Sequence, residues 1–382
     1  MTAMKPSHRK FSAARRAIAQ RGLSLVELMV GLTIGLVLTL GLFTLISSQS
    51  QAFKVQDDFA RIQENATLAL RQIGDSVRMA GFYGYAMDPG SIDTAIGGVA
   101  TTTDCGSGAN PPSGNWALAA NTPLQGFTGL TPVTVNAMLP CILATNFVAG
   151  PILVTRSAGY RIPDTAPVGD LTADLAAQTN SATTIYLQAD PNNGLIFYGA
   201  NFAALKAAGT TRSTATGNDI DIFEYRTHVY YIRPCSRPAA GVACAATDDN
   251  GQPIPTLVRQ ELIGSAMTEA PLAEGVELID FQFGIDAQPA VGPNGVLGDG
   301  VPETFTATPT AAQWPNVVAV KVTVLVRSPT LTSQHDDSGK TYDLNGDNVV
   351  DFACTAGVNC MYKRKVFSQT FQVRNIAQRR GG

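Results

Sequence analysis

Leu23–Ile46 reads LSLVELMVGLTIGLVLTLGLFTLI, and Glu27 is its only charge. The 19 uncharged residues from Leu28 to Ile46 are long enough to cross a bilayer as a helix rising about 1.5 Å per residue. A lone carboxylate beside such a run costs about 2.5–3.5 kcal/mol on insertion scales, so its presence calls for a partner. Upstream, Lys5, Arg9, Lys10, Arg15, Arg16 and Arg21 form a block without acids, which the positive-inside rule keeps in the cytoplasm. A cleaved secretory signal fits less well, because its apolar region is shorter and free of such a carboxylate.

Past Gln51 the apolar pattern changes from continuous to periodic. Val55, Phe59, Ile62, Ala66, Leu70, Ile73, Val77 and Ala80 recur in steps of three and four, with charged residues between them, which predicts an amphipathic continuation of the helix. One helix from about Leu23 to Met79 follows, with Gly81, Gly84 and Pro89 ending it. Beyond it, GPILVTRSA, TTIYLQAD, IDIFEYRTHVYYIRPC, TLVRQELIG, VELIDFQFGID, NVVAVKVTVLVRSP and YKRKVFSQTFQVRN are β-branched or alternating runs bounded by Pro, Gly and Asn. The expected class is α+β: a long amino-terminal transmembrane and amphipathic helix packed on a mainly antiparallel, β-rich globular domain. The expected segments are 23–50 in the membrane or a filament core, 51–80 amphipathic, 81–376 globular and 377–382 a carboxyl-terminal tail.

Composition narrows the function. Without the first 22 residues the chain carries 21 basic and 30 acidic residues, a net charge of −9, and this argues against a nucleic-acid partner, which needs Lys and Arg clusters. All six cysteines, Cys105, Cys141, Cys235, Cys244, Cys354 and Cys360, follow the apolar segment without zinc-type spacing, so disulfides in an oxidising compartment are expected. Fifteen connectivities are open; pairing of sequence neighbours is preferred, since Cys235–Cys244 and Cys354–Cys360 close short loops between strand-like runs. P-loop, zincin and nucleophile-elbow motifs are absent from the sequence. His228 lies in a strand-like run, where a packed or surface-facing imidazole is the expected reading, and no enzyme activity or cofactor is expected. One loop, DLNGDNVVD, places Asp343, Asn345, Asp347, Val349 and Asp351 at alternate positions, like the start of a calcium loop. Asn348 stands where such loops use Gly, and Cys354 stands where they use Glu, so a solvated Asn-Gly turn is the competing reading. Gly31 and Gly35 form a G-x-x-x-G pair suited to close helix packing.

Arg21-Gly22 followed by LSLVELMVGLTIGLVLTLGL resembles the class III signal of type IV prepilins, and RMAGFYG, VELIDFQFGID, WPNVVAVKVTVLVRSP and RKVFSQTFQVRN resemble PilW-type minor pilins. That resemblance implies a leader of residues 1–22, cleavage between Gly22 and Leu23 by a prepilin peptidase, and methylation of Leu23, where the family more often has Phe. It also gives Glu27 a partner, the freed α-amine of a neighbouring packed helix, which makes Glu27 an assembly determinant. The implied partners are other minor and major pilins and the inner-membrane assembly platform. The implied location is a single-pass inner-membrane protein with its amino terminus cytoplasmic and its domain periplasmic, later on the pilus surface, priming or capping assembly. Two alternatives stand beside it: a J-type pseudopilin of type II secretion, and a membrane-anchored periplasmic binding or adhesion domain.

Overall fold

The computed structural model describes residues 22, 24–94, 98–99, 101, 104–106, 115–165, 168–239, 241–288, 298–332, 335–355 and 357–381. Two compact units are present, residues 1–57 and 58–382. The leader, and Leu23 with it, lie outside the described residues apart from Gly22. Helix α1 runs Leu25–Met79, so the switch from continuous to periodic hydrophobicity occurs inside one helix.

Within the second unit α1 buries Asp58, Ile62, Ala66, Ala69, Leu70, Ile73, Gly74 and Val77. From Ile62 onward this is the expected stripe, and Ala80 continues it. At its start the stripe is displaced by one residue: Phe59 is 39% exposed and Asp58 is buried instead. The cause is polar, since Lys363 Nζ lies 2.9 Å from Asp58 Oδ2 and offsets the desolvation that burial imposes on a carboxylate. Gly74 permits the closest helix approach, because a Cβ there would stand 2.3 Å from the Phe371 ring.

The β-rich domain is mainly antiparallel, as expected, and is organised as two main sheets. The first contains β1 (Ile92–Asp93), β2 (Leu124–Leu130), β3 (Gly150–Arg161), β4 (Ile185–Ala189), β5 (Gly194–Tyr198), β6 (Ile222–Arg233), β7 (Thr256–Ile263) and β8 (Ala266–Glu274). Its order is β1-β5-β4-β6-β3-β2, with β7 beside β6 and β8 beside β7, and the β1–β5 pair is parallel. The second sheet orders β10 (Thr304–Thr306), β9 (Val276–Ile285), β11 (Val317–Arg327) and β14 (Arg364–Gln372). Two short strands, β12 (Thr341–Tyr342) and β13 (Phe352–Ala353), pair with each other. Residues of α1, both main sheets and the carboxyl-terminal end share one core, including Ile73, Val77, Tyr230, Phe281, Phe283, Val322 and Phe371. Burying each large side chain of this kind contributes about 1.5–3 kcal/mol.

Residues 377–381, expected as part of a tail, belong instead to helix Arg374–Gly381. Ile376 and Ala377 join the core, and Arg380 Nε is 3.0 Å from Asp286 Oδ2, both side chains buried. All six cysteines are paired, Cys105–Cys141, Cys235–Cys244 and Cys354–Cys360, which is the sequence-neighbour pattern. The first of them fixes the segment around Cys105 to a core formed by Trp116, Val135, Leu139 and Phe147.

Candidate functional site

The first turn of α1 carries an arrangement that the sequence analysis missed. Ser24 Oγ accepts the Glu27 amide at 3.2 Å, and Glu27 Oε2 accepts the Ser24 amide at 3.4 Å. This reciprocal pair is a capping box, which satisfies two otherwise orphaned donors at a helix start. Its signal was legible as S-x-x-E before an apolar run. Glu27 therefore fixes the beginning of α1 while remaining at the surface of the single chain.

From Leu25 through Lys54 every residue of α1 is exposed, including Phe43 at 73% and Phe53 at 70%. Four of the hydroxyls in this stretch are satisfied by the helix itself. Thr33, Thr39, Thr44 and Ser48 donate to carbonyls three or four residues back, so these four hydroxyls do not require water. Gly31 and Gly35 have no atom within 4 Å of a Cβ added at either position. Among the described residues nothing fills these notches, which leave the backbone open to close approach by another helix.

The loop from Asp343 to Asp351 is a chain of hydrogen-bonded turns. Asp343 accepts the amides of Gly346 at 2.6 Å and Asn348 at 2.8 Å, which hold its carboxyl below the usual range. Asp347 accepts from Val349, and Asp351 from Leu344. Asn348 adopts φ +64°, so it supplies the left-handed turn for which calcium loops use Gly. Among the described residues, the carboxylate group whose oxygens lie within 4.8 Å of one another is Asp286, Asp299 and Glu303, and there Arg380 already neutralises Asp286. Beneath the loop, Gln282 donates to the Asn345 carbonyl at 2.8 Å. Asp280 there is pushed up to about 6 by burial and by the Asp351 and Asp347 charges.

Of the two positions the strand left open to it, His228 takes the packed one. Its Nδ1 is 3.0 Å from Ser76 Oγ, which lies 2.6 Å from the Tyr230 hydroxyl. Burial, with help from Arg259 and Arg226, pushes the imidazole down to about 3 and keeps it neutral.

Two family models match the chain. Residues 236–375 match PilW, described as type IV pilus-assembly protein W, and residues 18–43 match the prokaryotic N-terminal methylation motif. Over residues 236–375 the chain is similar to PilW. No curated protein matches it. Among solved structures, the type IV-like pilin TTHA1219 from Thermus thermophilus is similar at 12% identity with a TM-score of 0.24, over 54% of this chain and 95% of that one. In the PilW-like chain the methylation-motif match spans Gly22, Glu27, Gly31 and Gly35, while the PilW match spans β7 to β14.

Proposed function

We propose that this PilW-like chain is a minor pilin of a type IV pilus, cleaved by prepilin peptidase between Gly22 and Leu23 and incorporated by packing of α1 among other pilin helices to prime or cap assembly. One observation carries the proposal: the 18–43 methylation-motif match falls on a helix segment whose apolar side chains are all exposed. Before assembly that surface belongs in the inner membrane, with the six-charge block cytoplasmic and the globular unit periplasmic. Other minor and major pilins and the inner-membrane platform are the partners, and the chain has a structural role with no catalytic one. In this reading Glu27 pairs with the α-amine of a neighbouring Leu23, an ion pair formed only in register.

The capping box shapes the test. Glu27→Ala removes both the charge and the cap, whereas Glu27→Gln retains a side chain able to complete the box. Pilus counts by electron microscopy, with membrane abundance of the chain as control, are expected to fall equally in both variants. Normal incorporation of E27Q would refute the charge pairing and leave Glu27 a helix cap.

A further inference from the structure

Among the described residues the first sheet ends in β1, β2 and β8, and the second in β10 and β14. Most of these edges are blunted. Strand β8 carries Pro271, which has no amide to offer. Strand β2 contains Gly126 and Gly129 and breaks register between Phe127 and Leu130, while β1 and β10 are two and three residues long. Strand β14 differs from all of them. It runs nine residues, RKVFSQTFQ, with neither Pro nor Gly, and keeps an unbroken register with β11. A free edge of this kind is a template for pairing with another chain.

Hydrogen bonds at its two ends set which groups this edge offers. Val373 donates its amide to the Val318 carbonyl, and Ser328 donates its amide to the Lys363 carbonyl, both at 2.8 Å. Between them the register runs without a shift, from Gln372 opposite Ala319 to Arg364 opposite Arg327. Antiparallel alternation therefore turns the backbone groups of Lys365, Phe367, Gln369 and Phe371 toward β11, and those of Val366, Ser368, Thr370 and Gln372 outward. Arg327 agrees with this phase, since its amide goes to Gly275 and away from β14. Ser368, Gln369, Thr370 and Gln372 are exposed, so the edge is open where those groups lie. Its charge is one-sided, because no Asp or Glu follows Asp351 in the sequence. Lys363, Arg364 and Arg380 are committed to Asp58, Glu277 and Asp286, and Arg379 donates to the Gly81 carbonyl. Lys365 and Arg374, at the two ends of the open stretch, are exposed, and no ion pair among the described residues engages either.

We propose that the outer edge of β14 receives an extended, acidic segment of a neighbouring subunit, which adds to the second sheet as a further strand with carboxylates near Lys365 and Arg374. From Val366 to Gln372 the outward groups span about 20 Å at about 3.3 Å per residue, the length of an ordinary strand. The two cations choose the occupant. A second copy of this chain on the same edge would set Lys365 beside Lys365 if parallel and toward Arg374 if antiparallel, and like charges across a pair oppose it. Lysine on an edge is a device against such self-association, and carboxylates at the same places turn repulsion into attraction. Main-chain bonds then supply affinity and the flanking charges supply the choice of partner. That the segment comes from a neighbouring subunit rests on the minor-pilin reading, in which the chain lies among other pilins.

Amide hydrogen exchange of the full chain in detergent micelles, read residue by residue by mass spectrometry, tests this. The probes are acetyl-Glu-Thr-Val-Thr-Val-Thr-Glu-amide, the same peptide with Lys at both ends, and the acidic peptide N-methylated throughout. In the chain alone the amides of Val366, Ser368, Thr370 and Gln372 are expected to exchange fast, and those of Phe367, Gln369 and Phe371 slowly. Slow exchange at all seven would mean that the edge is already covered and would overturn the proposal. The acidic peptide at about 5 mM, against a Kd of about 1 mM that a few net hydrogen bonds support, is expected to slow the four outward amides. No slowing at that concentration, or equal slowing by the methylated or the Lys peptide, would overturn it too. Thr370→Pro removes an outward amide that takes no part in the ladder with β11 and is expected to weaken the acidic peptide about tenfold or more. Should T370P not fold, Lys365→Glu with Arg374→Glu replaces it and is expected to exchange the preference for the Glu peptide with that for the Lys peptide. Unchanged binding in the variant used would refute the edge. Slowed exchange in a chain that the cell never processes at Gly22 would sink the pilus reading while the edge survived, and a processed chain without it would lose the edge alone.

Discussion

Asp58 and Lys363 form a buried ion pair whose removal has a size the structure sets. Their side chains are 9% and 7% exposed with a 2.9 Å contact, and the hydroxyls of Thr330 and Thr332 lie 3.4 Å from the Asp58 oxygens. Asp58→Ala leaves the Lys363 ammonium buried without its carboxylate, with the Phe59 ring 5.8 Å away. Breaking such a pair from one side costs about 3–5 kcal/mol, because the surviving charge keeps its desolvation penalty. Lys363→Met falls at the lower end of that range, since Asp58 keeps its two threonine contacts. Asp58→Leu with Lys363→Met removes both charges and replaces them with apolar volume, so the double variant is expected within about 1 kcal/mol of the wild type. Denaturant unfolding followed by the fluorescence of Trp116 and Trp314, both in the second unit, reads all three. Single variants that lose less than about 1 kcal/mol, or a double variant that simply sums them, would show that the pair is solvated and that the displacement of Phe59 has another cause.

Three further outcomes follow from the packing and the charges. Gly74→Ala is expected to lose about 1–3 kcal/mol by overpacking against Phe371, and Phe371→Leu in the same chain should recover part of the loss in the same unfolding assay. Asp280 gives a pH dependence of defined sign. A carboxyl raised to about 6 when folded destabilises the fold fully above that pH and not at all below the unfolded value near 4, so stability falls as pH rises through that window. The raw shift is worth about 3 kcal/mol, but the residue is only part-buried and solvent screening brings the expectation to about 1 kcal/mol; Asp280→Asn should stabilise by that amount at pH 7 and flatten the profile. Removing Cys105–Cys141, separated by 36 residues, is expected to cost about 3.8 kcal/mol, against about 2.4 kcal/mol for Cys354–Cys360, separated by 6, on loop-closure entropy. Paired alanine variants compared by denaturant midpoint would contradict this if the order were reversed.

The long helix was legible because its signals are local: an uncharged run and then a stripe with a period of three to four residues. Asp58 was not, since a buried carboxylate becomes sensible only when Lys363, 305 residues away, is known to meet it. Strand β8, AMTEAPLAE, contains Pro271 and little alternation of the usual kind, and it is tolerated because β8 pairs only with β7 and so lies at an edge. Strands β2 and β5 also escaped the reading, Gly126 and Gly129 interrupting the first and the brevity of GLIFY hiding the second. The division into two sheets depends on long-range pairing, which no local pattern reports. Arg379 and Arg380 looked like a charged tail, yet Arg380 is drawn inward by Asp286 across 94 residues. At the candidate site, Glu27 was visible from its apolar surroundings and its capping role from Ser24. The open edge of β14 was invisible, because the amides it offers depend on its pairing with β11.

The mass of the mature amino terminus, measured by peptide mass spectrometry of the membrane fraction, tests the central claim most directly. The account predicts a chain that begins at a methylated Leu23. A chain that retains Met1, or that begins near Gln51, would contradict it and return the exposed helix to the role of a simple anchor or a discarded signal.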